Sequence, residues 1–152
     1  MNTLKAGDKA PLFSLKNQQD TVVNLADFAG SKVLVYFYPK ASTPGCTVQA
    51  KGLRDNKFAL ADKGVTVLGI SPDPVKRLVK FADKENLNFS LLSDEDHSVA
   101  DAFGVWGLKK FMGKEYDGIH RLSFLIDESG TIEQVYDKFK TKDHHEVVLN
   151  SL

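Results

Sequence analysis

The only cysteine of this chain, Cys46, closes the stretch Pro39-Lys40-Ala41-Ser42-Thr43-Pro44-Gly45-Cys46. A lone cysteine makes no intrachain disulfide and no cysteine-only metal site, so whatever chemistry it does is thiolate chemistry. Locally two readings stand side by side. Free cysteines are commonly buried, inert core residues. Here the neighbouring types instead favour negative charge on sulfur. Thr43 followed by Pro44 reads as a helix start: an N-cap side-chain oxygen, then proline at the first helical position, where its missing N–H costs nothing. Cys46 then falls in the first helical turn, where unpaired N–H groups and the helix dipole stabilise an anion. Gly45 leaves room for another group to approach.

Those residues need elements to hold them. The apolar run Val33-Leu34-Val35-Tyr36-Phe37-Tyr38 reads as a buried strand that stops at Pro39. A helix is expected from Thr43 to Ala61, with Leu53, Phe58 and Leu60 inward and Lys63-Gly64 as its end. Val65 to Ile70 reads as a second buried strand. Ser71-Pro72-Asp73-Pro74 opens a helix to about Asn86, and Phe89 to Leu92 is a short strand. Ser93 to Asp96 puts acids at the start of a helix that Gly104 closes. Upstream, Phe13-Ser14-Leu15 and Thr21-Val22-Val23 flank a polar turn and look like a hairpin. Leu25 to Gly30 is a short helix. Downstream, Leu122 to Ile126 pairs across Asp127-Glu128-Ser129-Gly130 with Thr131 to Tyr136. Asp143-His144-His145-Glu146 resembles a capping box for a last helix. Strands alternating with helices imply an α/β fold: a mostly parallel central sheet with helices on both faces and an antiparallel edge from the closing hairpin. That is a thioredoxin-like arrangement whose central sheet is mixed, with an N-terminal hairpin added.

The 152 residues suit a single domain, 1–152, with a real core. Formal net charge is zero, which favours neither nucleic acid nor a membrane surface as partner. No apolar run approaches a membrane span, and Met1 to Asp8 lacks the apolar core of a signal peptide. One cysteine without a targeting segment fits a cytoplasmic protein.

Pro-x-x-x-Thr-x-x-Cys at the end of a strand, in this element order, resembles the peroxiredoxin signature. Thr43-Pro44-Gly45-Cys46-Thr47 followed by Gln49 is similar to the bacterioferritin-comigratory, or peroxiredoxin Q, group. The resemblance covers nearly the whole chain. It includes Gly7-Asp8-Lys9-Ala10-Pro11, Val67-Leu68-Gly69-Ile70-Ser71, Leu91-Leu92-Ser93-Asp94, Phe103-Gly104-Val105 and His120-Arg121-Leu122-Ser123-Phe124. It implies a thioredoxin-like peroxiredoxin fold and a thiol peroxidase acting on hydrogen peroxide and organic hydroperoxides. Cys46 would be the peroxidatic cysteine, Thr43 and Pro39 its pocket partners and Arg121 the cation. A Cys46 sulfenic acid would be recycled by an external thiol of the thioredoxin, glutaredoxin or glutathione type. The resemblance further implies a monomer, with no cofactor and no metal. The Thr43 hydroxyl and the Cys46 N–H are expected to donate hydrogen bonds to the shifting charge, and Arg121 to favour the thiolate. Thr47 and Gln49 read as helix surface or packing.

The chain departs from that group at one place. Many members carry a resolving cysteine five residues after the peroxidatic one, and here Lys51 stands there. The segment Val75 to Asn86, where others place it, has none either. On an intact helix, residues five apart lie roughly 140° around the axis and about 7.5 Å along it, beyond the roughly 7 Å reach of a disulfide. A helix with Lys51 therefore has no need to unwind during turnover. Other candidates carry plainer readings. His120 is a packed or hydrogen-bonded histidine before it is a base. His144 and His145, adjacent on a helix, face different ways and make a poor metal pair. First-turn acids Asp94, Glu95 and Asp96 need no metal. Trp106, Phe111 and Met112 belong to a Gly- and Lys-containing loop, as a pocket rim, a partner surface or a core cover. A thioredoxin-like disulfide reductase is disfavoured because Cys-x-x-Cys is absent. The intact set Pro39, Thr43, Cys46 and Arg121 argues against a silent binding domain.

Overall fold

A computed structural model describes residues 1–152. The chain opens with a hairpin, β1 (Ser14–Asn17) and β2 (Val22–Asn24), and a 3-10 turn at Leu25–Phe28. Next come β3 (Lys32–Phe37), α1 (Pro44–Asp55), α2 (Lys57–Asp62), β4 (Val65–Ser71), α3 (Val75–Glu85), β5 (Ser90–Ser93) and α4 (Ser98–Phe103). A second hairpin, β6 (Trp106–Phe111) and β7 (Lys114–Ile119), precedes β8 (Ser123–Ile126), β9 (Ile132–Tyr136) and α5 (His144–Asn150).

Seven strands form one mixed sheet in the order β2-β1-β5-β4-β3-β8-β9. Only its centre, β3 with β4 and β4 with β5, is parallel; every other pairing is antiparallel. The sheet is mixed, as expected, although fewer of its pairings are parallel than the alternation of strands and helices implies. The N-terminal hairpin joins the sheet through β1 against β5, and β8 lies inside it, leaving β9 as the edge.

β3 shows why the centre forms. Its side chains alternate between the faces with period two. Leu34 and Tyr36 enter one apolar cluster with Ala50 and Leu53 of α1, Leu60 of α2, Leu78 and Phe81 of α3 and Val148 of α5. Val33, Val35 and Phe37 enter the other, with Phe103 of α4, Leu25 and Phe124. Covered on both faces, the strand is a continuous apolar run. Each fully buried Leu or Phe contributes about 1.5–3 kcal/mol relative to exposure.

Three local expectations fail. The long helix from Thr43 breaks at Asn56, whose side-chain amide donates to the Gly52 carbonyl at 2.7 Å. The turn re-aims α2, so Leu60 stays inside while Phe58 is 81 % exposed. Trp106 to Ile119 is a hairpin, not a loop. Its turn residues Met112 and Gly113 both have positive φ, and its Lys-, Gly- and Asp-rich strands pair only with each other. The capping box at Asp143 does not form: the Asp143 carboxylate takes the Lys140 N–H instead.

Candidate active site

β3 delivers the chain to Tyr38 and Pro39, and α1 begins five residues later. Thr43 is the extended residue before α1, with Pro44 at its first position. The first backbone bond of the helix runs from Thr47 N–H to the Thr43 carbonyl, 2.9 Å. The N–H groups of Gly45 and Cys46 therefore precede the ladder. The Thr43 side chain does not cap: its hydroxyl donates to the Lys40 carbonyl at 2.7 Å. Its hydrogen is committed, so what it offers a substrate is its oxygen lone pairs, contrary to the expected donor role. Pro39 is half-buried at the end of the strand.

Cys46, Gln49, Ala50 and Leu53 are the buried residues of α1, at spacings of three, four and seven. This is one helical face. Cys46 is 1 % exposed. Arg121 reaches it from the other side of β3. The Leu122 carbonyl accepts the Phe37 N–H at 2.9 Å, which fixes Arg121 beside the strand's end. One guanidinium nitrogen, Nη2, donates to Cys46 Sγ at 3.4 Å. The other, Nη1, donates to Gln49 Oε1 at 2.6 Å. The guanidinium is always charged, and this contact stabilises negative charge on sulfur. Gln49 sets the plane of the fork that makes it. A Cβ added at Gly45 would stand 3.6 Å from Arg121 Nη2 and from Thr141 Cγ2, so the small residue keeps this approach open.

The structure thus brings Cys46 and Arg121 together, and joins to them a residue that the sequence reading took for helix surface or packing, Gln49. A signal for it existed: a glutamine on the apolar stripe of α1 needs a polar partner to be buried. Thr47 bonds back to its own helix, its hydroxyl donating to the Thr43 carbonyl at 2.8 Å.

Behind the sulfur the wall is aromatic. Tyr36 and Tyr38 stack with centroids 5.4 Å apart, and Tyr36 packs on His144. Burial pushes both phenols upward, so they stay neutral. His144 is fully buried, with Nε2 2.7 Å from Ser123 Oγ. Burial, helped by His145 and Arg121, lowers its pKa from 6.5 to about 3. His145 lies instead over Gly52 of α1. His120 Nε2 is 3.1 Å from the Leu108 carbonyl, which commits it to the second hairpin. From that hairpin Lys109 runs across Gly118 and donates to the Ile119 carbonyl at 2.8 Å. Burial first, and Arg121 second, hold its ammonium below the usual lysine range. Trp106 stacks on His97 with centroids 3.9 Å apart, while Phe111 and Met112 are solvent-exposed at the hairpin's end. Asp94 is the true cap of α4: its carboxylate accepts the N–H groups of Val99 and Ala100. No three His, Cys, Asp or Glu side chains converge as a metal site. No helix is long and apolar enough to cross a membrane.

The arrangement is that of a buried cysteine sulfur touched by a cation at a helix start, and the comparisons agree with it. Residues 6–135 match the AhpC/TSA family. Peroxiredoxin Bcp of Escherichia coli K12 is 67 % identical over 152 residues, all of this chain and 97 % of that protein. The putative peroxiredoxin bcp of Haemophilus influenzae is 64 % identical over 152 residues, all of this chain and 98 % of that one. Among solved structures, a cysteine-to-serine mutant of Xylella fastidiosa PrxQ superposes with a TM-score of 0.92 at 30 % identity, covering 99 % of this chain and 96 % of that one. The Xanthomonas campestris bacterioferritin comigratory protein, described for its alkyl peroxide reduction activity, gives 0.86 at 34 % identity, covering 91 % and 88 %. A thioredoxin-like fold, a single cysteine under an arginine and relatives of this identity over the full length lead to one conclusion: the chain belongs to the AhpC/TSA family as a peroxiredoxin, a thiol-dependent peroxidase.

Proposed function

We propose that Cys46 is the peroxidatic cysteine and that Arg121, Thr43 and Pro39 complete its pocket. The observation that carries this reading is the 3.4 Å contact of Arg121 Nη2 with Cys46 Sγ in the first turn of α1. The thiolate attacks one peroxide oxygen, the O–O bond breaks, and the electron pair leaves on the second oxygen, which takes a proton to become water or an alcohol. Thr43, its hydrogen committed to Lys40, accepts the peroxide O–H and aligns it. The Cys46 N–H and the Arg121 guanidinium stabilise the charge as it moves, the kind of preorganised donation that lowers such barriers most. Pro39, with no N–H, walls the pocket against water. Gln49 positions Arg121. The substrates are hydrogen peroxide and alkyl hydroperoxides, the latter because the Xanthomonas relative reduces them.

The product is a Cys46 sulfenic acid. No second cysteine exists to capture it. An external thiol condenses with it, releasing water and leaving a mixed disulfide; a second thiol frees Cys46 as the thiol. The external thiol is of the thioredoxin, glutaredoxin or glutathione type. A sulfur that must return to the thiol at each cycle suits a reducing cytoplasm. Two apolar clusters sharing one sheet support a single domain over 1–152; the monomer rests on the family resemblance alone.

Mass analysis after one equivalent of hydrogen peroxide tests the reading. Without reductant the chain should gain one oxygen at Cys46 and lose no hydrogens. With glutathione it should return to the thiol through a mixed disulfide. Cys46→Ser should consume no peroxide, and residual consumption by that variant would refute the assignment.

A further inference from the structure

Asp73 lies just beyond β4 and is 3 % exposed. Its Oδ2 accepts the Ala41 N–H at 2.8 Å and the Ser71 hydroxyl at 2.8 Å. Oδ1 is 3.4 Å from Arg77 Nη1 in the first turn of α3. The Asp73 carbonyl accepts the Ser93 hydroxyl at 2.7 Å. One residue therefore ties together the ends of β3, β4 and β5, the edge of the sheet at which α1 starts.

The segment it holds is the active-site turn. Ala41 is 3 % exposed, and the Asp73 carboxylate is the hydrogen-bond partner of its N–H. A buried amide without an acceptor is strongly disfavoured. The next residue, Ser42, has φ +66°. That left-handed conformation is unfavourable for a side chain with a Cβ and persists only where the surroundings impose it. Immediately after it stand Thr43, with its hydroxyl on Lys40, and the start of α1. A shift at Ala41 would move the Thr43 oxygen relative to Cys46.

We infer that Asp73 is a positioning residue for peroxide reduction: through the Ala41 N–H it holds the Pro39–Thr43 turn in the shape that aims the Thr43 oxygen and the Cys46 N–H at the peroxide. The inference rests on the roles proposed for Thr43 and Cys46. A carbonyl oxygen has two lone pairs, so an asparagine can accept the same two donors. Asp73→Asn should therefore keep the turn, and Asp73→Ala should lose it.

Two rate constants separate positioning from general damage. One is thiol loss with limiting hydrogen peroxide, which needs the pocket aligned. The other is alkylation by iodoacetamide on the high-pH plateau, which needs only an accessible thiolate. Asp73→Ala should lower the peroxide constant about ten- to hundredfold, the scale of a misplacement of about 1 Å, while the alkylation constant is not lowered. Asp73→Asn should recover most of the loss. An unchanged peroxide constant in Asp73→Ala, an equal fall in both constants, or no recovery in Asp73→Asn would overturn the proposal. If circular dichroism shows Asp73→Ala unfolded, Ser71→Ala removes one donor that aims the carboxylate; it should give a smaller loss with the same split, and no split would overturn the idea. Thr43→Val serves as the reference arm. A wild-type peroxide constant there would withdraw the Thr43 role, while the Asp73 split is still read from its own variants.

Discussion

Part of the weakening of this fold in acid should come from one side chain, His144. Its imidazole is fully buried against Tyr36 and Phe139, bonded to Ser123 Oγ, and it faces the charges of His145, Arg121 and Asp143. Burial keeps it neutral down to about pH 3, against 6.5 for the ordinary side chain. Below pH 6.5 the unfolded chain takes up a proton that the folded chain refuses. The stability tied to His144 is therefore complete above pH 6.5, falls as the pH drops, and stops falling near pH 3, where the folded imidazole also protonates. Each unit is worth about 1.4 kcal/mol, so at pH 4.5, two units below 6.5, the loss is about 3 kcal/mol. That is a sizeable part of a typical total of about 5–15 kcal/mol. With a urea slope of about 2 kcal/mol/M it lowers the midpoint by roughly 1.5 M. Urea titrations of wild type and His144→Gln at pH 7 and 4.5 read the effect. Glutamine can still bond Ser123 and cannot titrate, and the carboxylates common to both proteins cancel. The wild type should lose about 3 kcal/mol more than the variant across that interval. Equal losses, or a His144 ring whose NMR shifts titrate near pH 6.5, would refute the reasoning.

Four further outcomes are expected. Arg121→Ala should slow sulfenic acid formation about 10²–10³-fold, and Gln49→Ala, which frees the guanidinium without removing it, about ten- to hundredfold; stopped-flow peroxide kinetics decide, and a wild-type rate in Gln49→Ala would remove it from the site. Gly52→Ala drives a methyl into the His145 ring and should cost about 1–3 kcal/mol, seen as a lower Tm that His145→Ala partly restores; an additive double mutant would mean the two do not meet. Lys51→Cys should form an internal disulfide only by opening α1, so amides of residues 45–53 should exchange faster in the oxidised variant than in the oxidised parent; equal protection alongside a formed disulfide would contradict the helical spacing argument.

The local frame of the Cys46 turn was legible because its causes are local. A strand ending at proline, a Thr-Pro helix start and a cysteine one turn later are all within ten residues, and backbone preference alone sets them. Alternation in β3 likewise announced a strand covered on both faces, since period two and burial are written into consecutive side chains. Arg121 was different. It is 75 residues from Cys46, and only the family resemblance singled it out from other arginines. Contacts at that separation depend on how β8 seats against β3, which no local pattern encodes. The direction of the Thr43 hydroxyl was decided by where the Lys40 carbonyl lies, and Gln49's role by which group reaches its face of α1. Phe58 followed the helical period until Asn56 turned the chain, and the β6–β7 hairpin was hidden because its strands satisfy each other rather than a core. Asp73 is the clearest case: in sequence it is one acid between two prolines, and only the convergence of three strand ends gives its carboxylate the Ala41 amide to hold. Hydrogen-bond direction and long-range pairing are settled by the whole packed chain, because a buried donor goes to whichever acceptor the fold brings within reach.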